Sequence, residues 1–164
     1  QDRTLNLKDA NIYGAAKAKE DRMLAKLDLA REDMNEFLQE VSEKHEYFNP
    51  QPGIDWDEGV LTGIDANNET VTTDIEVDEE DIAQIKRLFQ ALQKMASKGR
   101  RAVAERRILL NDLAEKYGWS RFPCDVRNNK FVDITDEVVK RQTVNLEQIE
   151  QNLRKPKLAD DKGK

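Results

Sequence analysis

Apolar residues recur with 3,4 spacing from Ile82 through Ile85, Phe89, Leu92, Ala96, Gly99, Val103, Arg106, Leu110 and Leu113 to Tyr117. That is about five heptads of one helical face. Leu88, Met95, Ala102 and Leu109 fill the neighbouring position in successive heptads, so the stripe is wider than a two-stranded seam and suits packing in a bundle. Asp78 reads as the N-cap, and Glu79, Glu80 and Asp81 suit the positive end of the helix dipole. Tyr117-Gly118-Trp119 reads as a glycine stop followed by an apolar residue. Ala96, Gly99 and Arg106 thin the seam. The pattern therefore predicts either a kink at Ser97-Lys98-Gly99 or a close approach of another backbone at Gly99.

A second helix is predicted from about Leu7 to His45, carried by Met23, Leu27, Ala30, Met34, Phe37 and Val41 and widened by Leu24 and Leu38. Pro50, Pro52 and Gly53 end it. Period-two alternation follows at Val60, Thr62, Ile64 and again at Val71, Thr73, Ile75, Val77, with the turn-forming Asp65–Glu69 between the runs. This predicts a β-hairpin, which in isolation is marginal in water and needs packing or a partner strand. After Trp119, Phe122-Pro123-Cys124 and Arg127–Lys130 read as loop and Phe131–Ile134 as a short extended piece. A last helix covers Thr135–Arg154, with Val138, Val139, Leu146, Ile149 and Leu153 on one side. The expected fold is mainly α: a long antiparallel helical hairpin, coiled-coil-like, with a small β-hairpin at its tip. Residues 1–119 form the hairpin with its β insertion at about 54–77. Residues 120–164 supply a loop, the C-terminal helix and an extended charged tail.

Charge changes this picture. The 27 basic and 33 acidic side chains give a net charge of −6, but they are unevenly placed. No Lys or Arg lies between Lys44 and Lys86, where Asp55, Asp57, Glu58, Asp74, Glu76 and other acids collect; Lys94, Lys98, Arg100, Arg101, Arg106 and Arg107 cluster in the long helix. Such polarity fits a solvated surface, an assembly in which the acidic segment of one copy meets the basic segment of another, or phosphate binding at the cations. No window of about 18 apolar residues suggests a membrane span, and the start at Gln1 lacks a basic-then-apolar signal pattern. With one cysteine there is no intrachain disulfide. Together these suggest the cytoplasm, or a particle assembled there. A start at Gln1 suggests either missing upstream residues or a processed end, and the half-charged 155–164 tail is expected to order only against a partner.

Candidate chemistry is sparse. His45 is the only histidine and Cys124 the only cysteine, so neither has a like partner for metal binding or an evident one for nucleophilic catalysis. No glycine-rich phosphate loop is present, and no catalytic residue, cofactor or metal is expected. Asp65, Asn67, Glu69, Thr73 and Glu76 match the oxygen spacing of a calcium loop, but Thr70 stands where that loop needs glycine and strand precedes it instead of helix. A polar hairpin turn is the simpler account.

Leu110–Arg121, with its apolar-alanine pair before a tight glycine turn, resembles the first helix and turn of a helix-turn-helix DNA-binding unit. The resemblance implies a recognition helix after Arg121; the same residues also make an ordinary helix stop. Two functions follow as expectations. The first is a non-enzymatic structural or assembly protein, such as a component of a viral particle (virion), that forms a homo-oligomer or part of a large complex with other protein subunits. Its interface would use Ile85, Phe89, Leu92, Val103 and Leu110, with Val71, Thr73 and Ile75 for strand pairing. The second is a nucleic-acid-binding regulator or packaging factor using Lys98, Arg100, Arg101, Arg106 and Arg107 on phosphates, with Trp119 and Arg121 near bases.

Overall fold

The computed structural model describes residues 3–154, with side chains through residue 144. The fold is mainly helical, with two long helices and two small antiparallel sheets. In order, α1 spans Leu7–Lys44, β1 Gly53–Asp55, β2 Val60–Ile64, β3 Thr70–Glu76, α2 Glu79–Tyr117, β4 Cys124–Arg127, β5 Lys130–Asp133 and α3 Thr135–Arg154. Two compact units result: one holds the chain up to Ala25 together with Ser97–Arg154, the other holds Lys26–Ala96. Leu146, Ile149 and Leu153 of the expected apolar side and the charged tail lie outside the residues whose side chains are described.

In the first unit, α1 starts because Asn6 caps it: its Oδ1 accepts the Asp9 N–H at 2.8 Å. The end of α2 is a Schellman turn. Gly118 sits at φ 67°, Trp119 N–H donates to Ala114 O at 2.8 Å and Gly118 N–H to Glu115 O at 3.2 Å. This is the stop expected at Tyr117-Gly118-Trp119. The cap turns Trp119 inward, where it stacks on Phe131 at 5.5 Å. Leu5, Tyr13, Leu110, Leu113, Ala114 and Cys124 complete that core. The expected loop around Cys124 is instead a strand. β4 pairs with β5 through Cys124↔Asp133 and Arg127↔Lys130, because Asn128 and Asn129 adopt positive φ and close a two-residue hairpin turn. The N-terminal segment adds to its edge, with Leu5 N–H donating to Asn129 O and Phe131 N–H to Arg3 O.

In the second unit, α1 ends at Lys44 through its own Schellman turn, not through the prolines downstream. Tyr47 N–H donates to Ser42 O at 2.9 Å and Glu46 N–H to Glu43 O at 2.9 Å, with Glu46 at φ 58° in the position that glycine usually takes. The Ser42 hydroxyl donates to Tyr47 O. The expected hairpin is present and carries a third strand, β1, giving the order β1-β2-β3. A bulge lies between Val60 and Thr62. There the Thr73 hydroxyl donates to Leu61 O at 2.7 Å and accepts Ile75 N–H at 3.1 Å. The core is Leu38 and Val41 from α1, Leu61 and Val77 from the β segment, and Ile85 from α2. α2 passes through Ser97-Lys98-Gly99 without interruption. Gly99 is buried.

Candidate functional site

In the first unit, side chains from α1, α2, β4 and α3 form a connected polar network. Glu20 on α1 is only 4% exposed. Its Oε2 accepts Arg106 Nε at 2.8 Å and Lys17 Nζ at 3.1 Å. Arg106 Nη1 donates to Tyr13 Oη at 3.2 Å, and that hydroxyl donates to Asp125 Oδ1 at 2.5 Å. Asp125 also accepts Arg127 Nε at 3.1 Å, and Arg127 forms a two-pronged pair with Glu137 of α3 at 2.6 and 2.9 Å. Nearer the helix start, Asp9 is a second buried carboxylate, held by Lys116 Nζ and Tyr117 Oη, each at 2.7 Å.

The electrostatics follow from this wiring. Burial acts to raise the Glu20 carboxyl, but the Arg106 and Lys17 hydrogen bonds outweigh it and hold the group below its ordinary value. Burial also works against the Asp125 carboxylate, and the bonds from Tyr13, Val126 N–H and Arg127 again keep it low. The Tyr13 phenol is pushed up to about 12, first by burial and then by its bond to Asp125. Lys116 and Tyr117 lower Asp9. Burial, then the charges of Asp125 and Asp133, raise the Cys124 thiol, which makes it a poor nucleophile.

The expected nucleic-acid residues divide. Lys98, Arg100, Arg101, Arg107 and Arg121 are exposed. Arg106 is committed to Glu20 and Tyr13, and Trp119 is 5% exposed, with its Nε1 donating to Arg121 O at 2.8 Å. No recognition helix follows Arg121, because the chain enters the β4–β5 hairpin. The expected interface residues divide as well. Ile85 and Leu110 are core residues of the two units, whereas Phe89, Leu92 and Val103 are half-buried and Val71 is exposed. Thr73 fills the bulge, and Ile75 packs on the core of its unit.

The calcium spacing is occupied by an ordinary turn: Asp65 Oδ1 accepts the N–H groups of Asn67 at 2.8 Å and Glu69 at 3.0 Å. Among the described residues, no group of three or more His, Cys, Asp or Glu could hold a metal. His45 is half-buried, and its Nε2 has no partner among the described residues. No helix among the described residues is long and apolar enough to cross a membrane.

Sequence reasoning missed Trp56. This ring is 44% exposed and leans on Phe89 of α2, with centroids 5.8 Å apart. Ile82, Lys86, Gln90 and Gln93 complete a shallow depression of about 410 Å³ around the pair. A tryptophan between Asp55 and Asp57 breaks the period-two pattern, so nothing in the alternation marks it. Against protein-family models, curated proteins and solved structures, this chain has no match.

Proposed function

We propose that this chain is a non-enzymatic assembly subunit that associates with copies of itself, with the Trp56–Phe89 pair as its anchor. The observation that supports this reading is a tryptophan, 44% exposed, seated on a half-buried phenylalanine of α2. Tryptophan in such a setting is the residue type most enriched among interface hot spots. The surrounding Lys86, Gln90 and Gln93 supply a polar rim. Strand pairing through Val71, Thr73 and Ile75 has weaker support, because the bulge and the exposed Asp74 and Glu76 are features that discourage edge pairing. The coiled-coil-like hairpin expected from the 3,4 spacing, other subunits as partners and assembly in the cytoplasm belong to the same proposal.

Sedimentation velocity at micromolar concentration tests it. The intact chain should sediment as a discrete oligomer, and Trp56→Ser or Phe89→Asp should reduce it to monomer with helical circular dichroism retained. A monomer before substitution, or an oligomer indifferent to both changes, would remove the proposal. Nucleic-acid binding is a second reading, favoured by Lys98, Arg100, Arg101 and Arg107. These are exposed, and no carboxylate lies within ion-pair distance of them among the described residues. Its signature is affinity for DNA that falls steeply with salt.

A further inference from the structure

We propose that the groove between α2, the β4–β5 hairpin and α3 binds a small organic phosphate, a ligand with one dianionic head and an apolar body. The groove is open to solvent and offers about 640 Å³, the size of a single small-molecule site. Cations reach it from four elements: Lys17 on α1, Arg106 and Arg107 on α2, Arg127 on β4 and Arg141 on α3. The acids near it are already engaged. Glu20 is held by Arg106 and Lys17, Asp125 by Tyr13 and Arg127, and Glu137 by Arg127.

Arg107 and Arg141 are thus a positive surplus. Both are exposed, and neither forms an ion pair within 4 Å among the described residues. Arg141 influences Glu137 only through space. Two unpaired guanidinium groups lining one groove are the side chains suited to a phosphate head, which each can grip through paired N–H donors. Leu110, Pro123, Ile134 and Val138 give the same groove an apolar wall, which inorganic phosphate would leave uncovered and an organic ester would not. A nucleic-acid backbone fits less well, because these cations surround a cavity and do not follow a track.

This inference is independent of the assembly reading. Phenyl phosphate and inorganic phosphate serve as probes, titrated by calorimetry into the intact chain. Phenyl phosphate should bind at least tenfold more tightly than inorganic phosphate. Arg107→Ala and Arg141→Ala should each weaken it by about tenfold, while Arg100→Ala, outside the groove, should leave it unchanged. Equal binding of the two probes, no binding at millimolar concentration, or indifference to both groove substitutions overturns the proposal. So does binding of a thymidine oligonucleotide that needs both arginines while phenyl phosphate fails to bind, which would assign the cations to nucleic acid.

Discussion

Arg106→Leu isolates a carboxylate. In the folded chain the Glu20 side chain is 5% exposed and that of Arg106 16%, at 2.8 Å. Removing Arg106 leaves Glu20 with Lys17 alone, at 3.1 Å and with its side chain 46% exposed. Breaking a buried pair from one side costs about 3–5 kcal/mol, because the surviving charge keeps its desolvation penalty. The remaining lysine places this case at the lower end, about 3 kcal/mol. Replacing both partners, as Glu20→Leu with Arg106→Leu, removes the charge along with its counter-charge. That variant should return to within about 1 kcal/mol of the parent. Leucine at both positions also fills the space with apolar volume.

The assay is urea unfolding of the parent, the two single variants and the double, followed by fluorescence in a Trp56→Phe background. Trp119, buried in the same unit as the pair, then reports alone. The pH dependence supplies a second check. Because Glu20 sits below its ordinary value, its contribution is present above the unfolded-state carboxyl pKa and is lost as pH falls through the lowered folded value. In Arg106→Leu that acid-side loss should shrink. Costs of the two single substitutions that simply add in the double would refute the coupling, as would an Arg106→Leu cost below about 1 kcal/mol.

Two further outcomes are expected. At Gly63, which is buried, a Cβ would lie 2.5 Å from Asn49 Nδ2 and 2.6 Å from its Cγ, with the Tyr47 hydroxyl closer still. Asn49 cannot retreat without breaking its bonds to the Ile64 N–H and C=O, so Gly63→Ala should destabilise the sheet unit by about 1–3 kcal/mol in a urea midpoint measurement; an unchanged midpoint would contradict this packing. The Tyr13 phenol, with a folded value of about 12 against an ordinary 10.0, contributes stability that is complete below pH 10 and lost as pH rises toward 12, about 3 kcal/mol in all. Tyrosinate absorbance should show a late phase that Tyr13→Phe abolishes; a late phase that survives this substitution would refute the assignment.

The helices were legible because each carries a local signal that survives in one dimension: the 3,4 stripe, Asp78 with its acidic turn, and the glycine stop at Gly118. β1 was not. Gly53-Ile54-Asp55 is too short for alternation to register, and it becomes a strand only because β2 offers Val60–Thr62 as partners. The β4–β5 hairpin was hidden for a related reason: Asn128 and Asn129 looked like loop, and only paired positive φ makes them a tight turn. The groove was illegible in principle, since Lys17, Arg107, Arg127 and Arg141 are scattered over more than half the sequence.

Arg106 carries the general point. At its seam position it reads as a flaw in an apolar stripe. Gly99 and Ala102 nearby are small, and such residues supply little shape by which one helix could be aligned against another. A half-buried cation changes that. Arg106 must find Glu20 and Tyr13, and the pairs Asp9–Lys116 and Lys19–Glu105 place the same stretches of α1 and α2 in the same antiparallel alignment. A shift of one heptad would leave the buried Asp9 and Glu20 carboxylates without their α2 partners, at several kcal/mol for each. Within this unit the apolar stripe supplies cohesion, and its polar interruptions determine which residues face each other. That alignment is also what brings Lys17, Arg106 and Arg107 to a single groove.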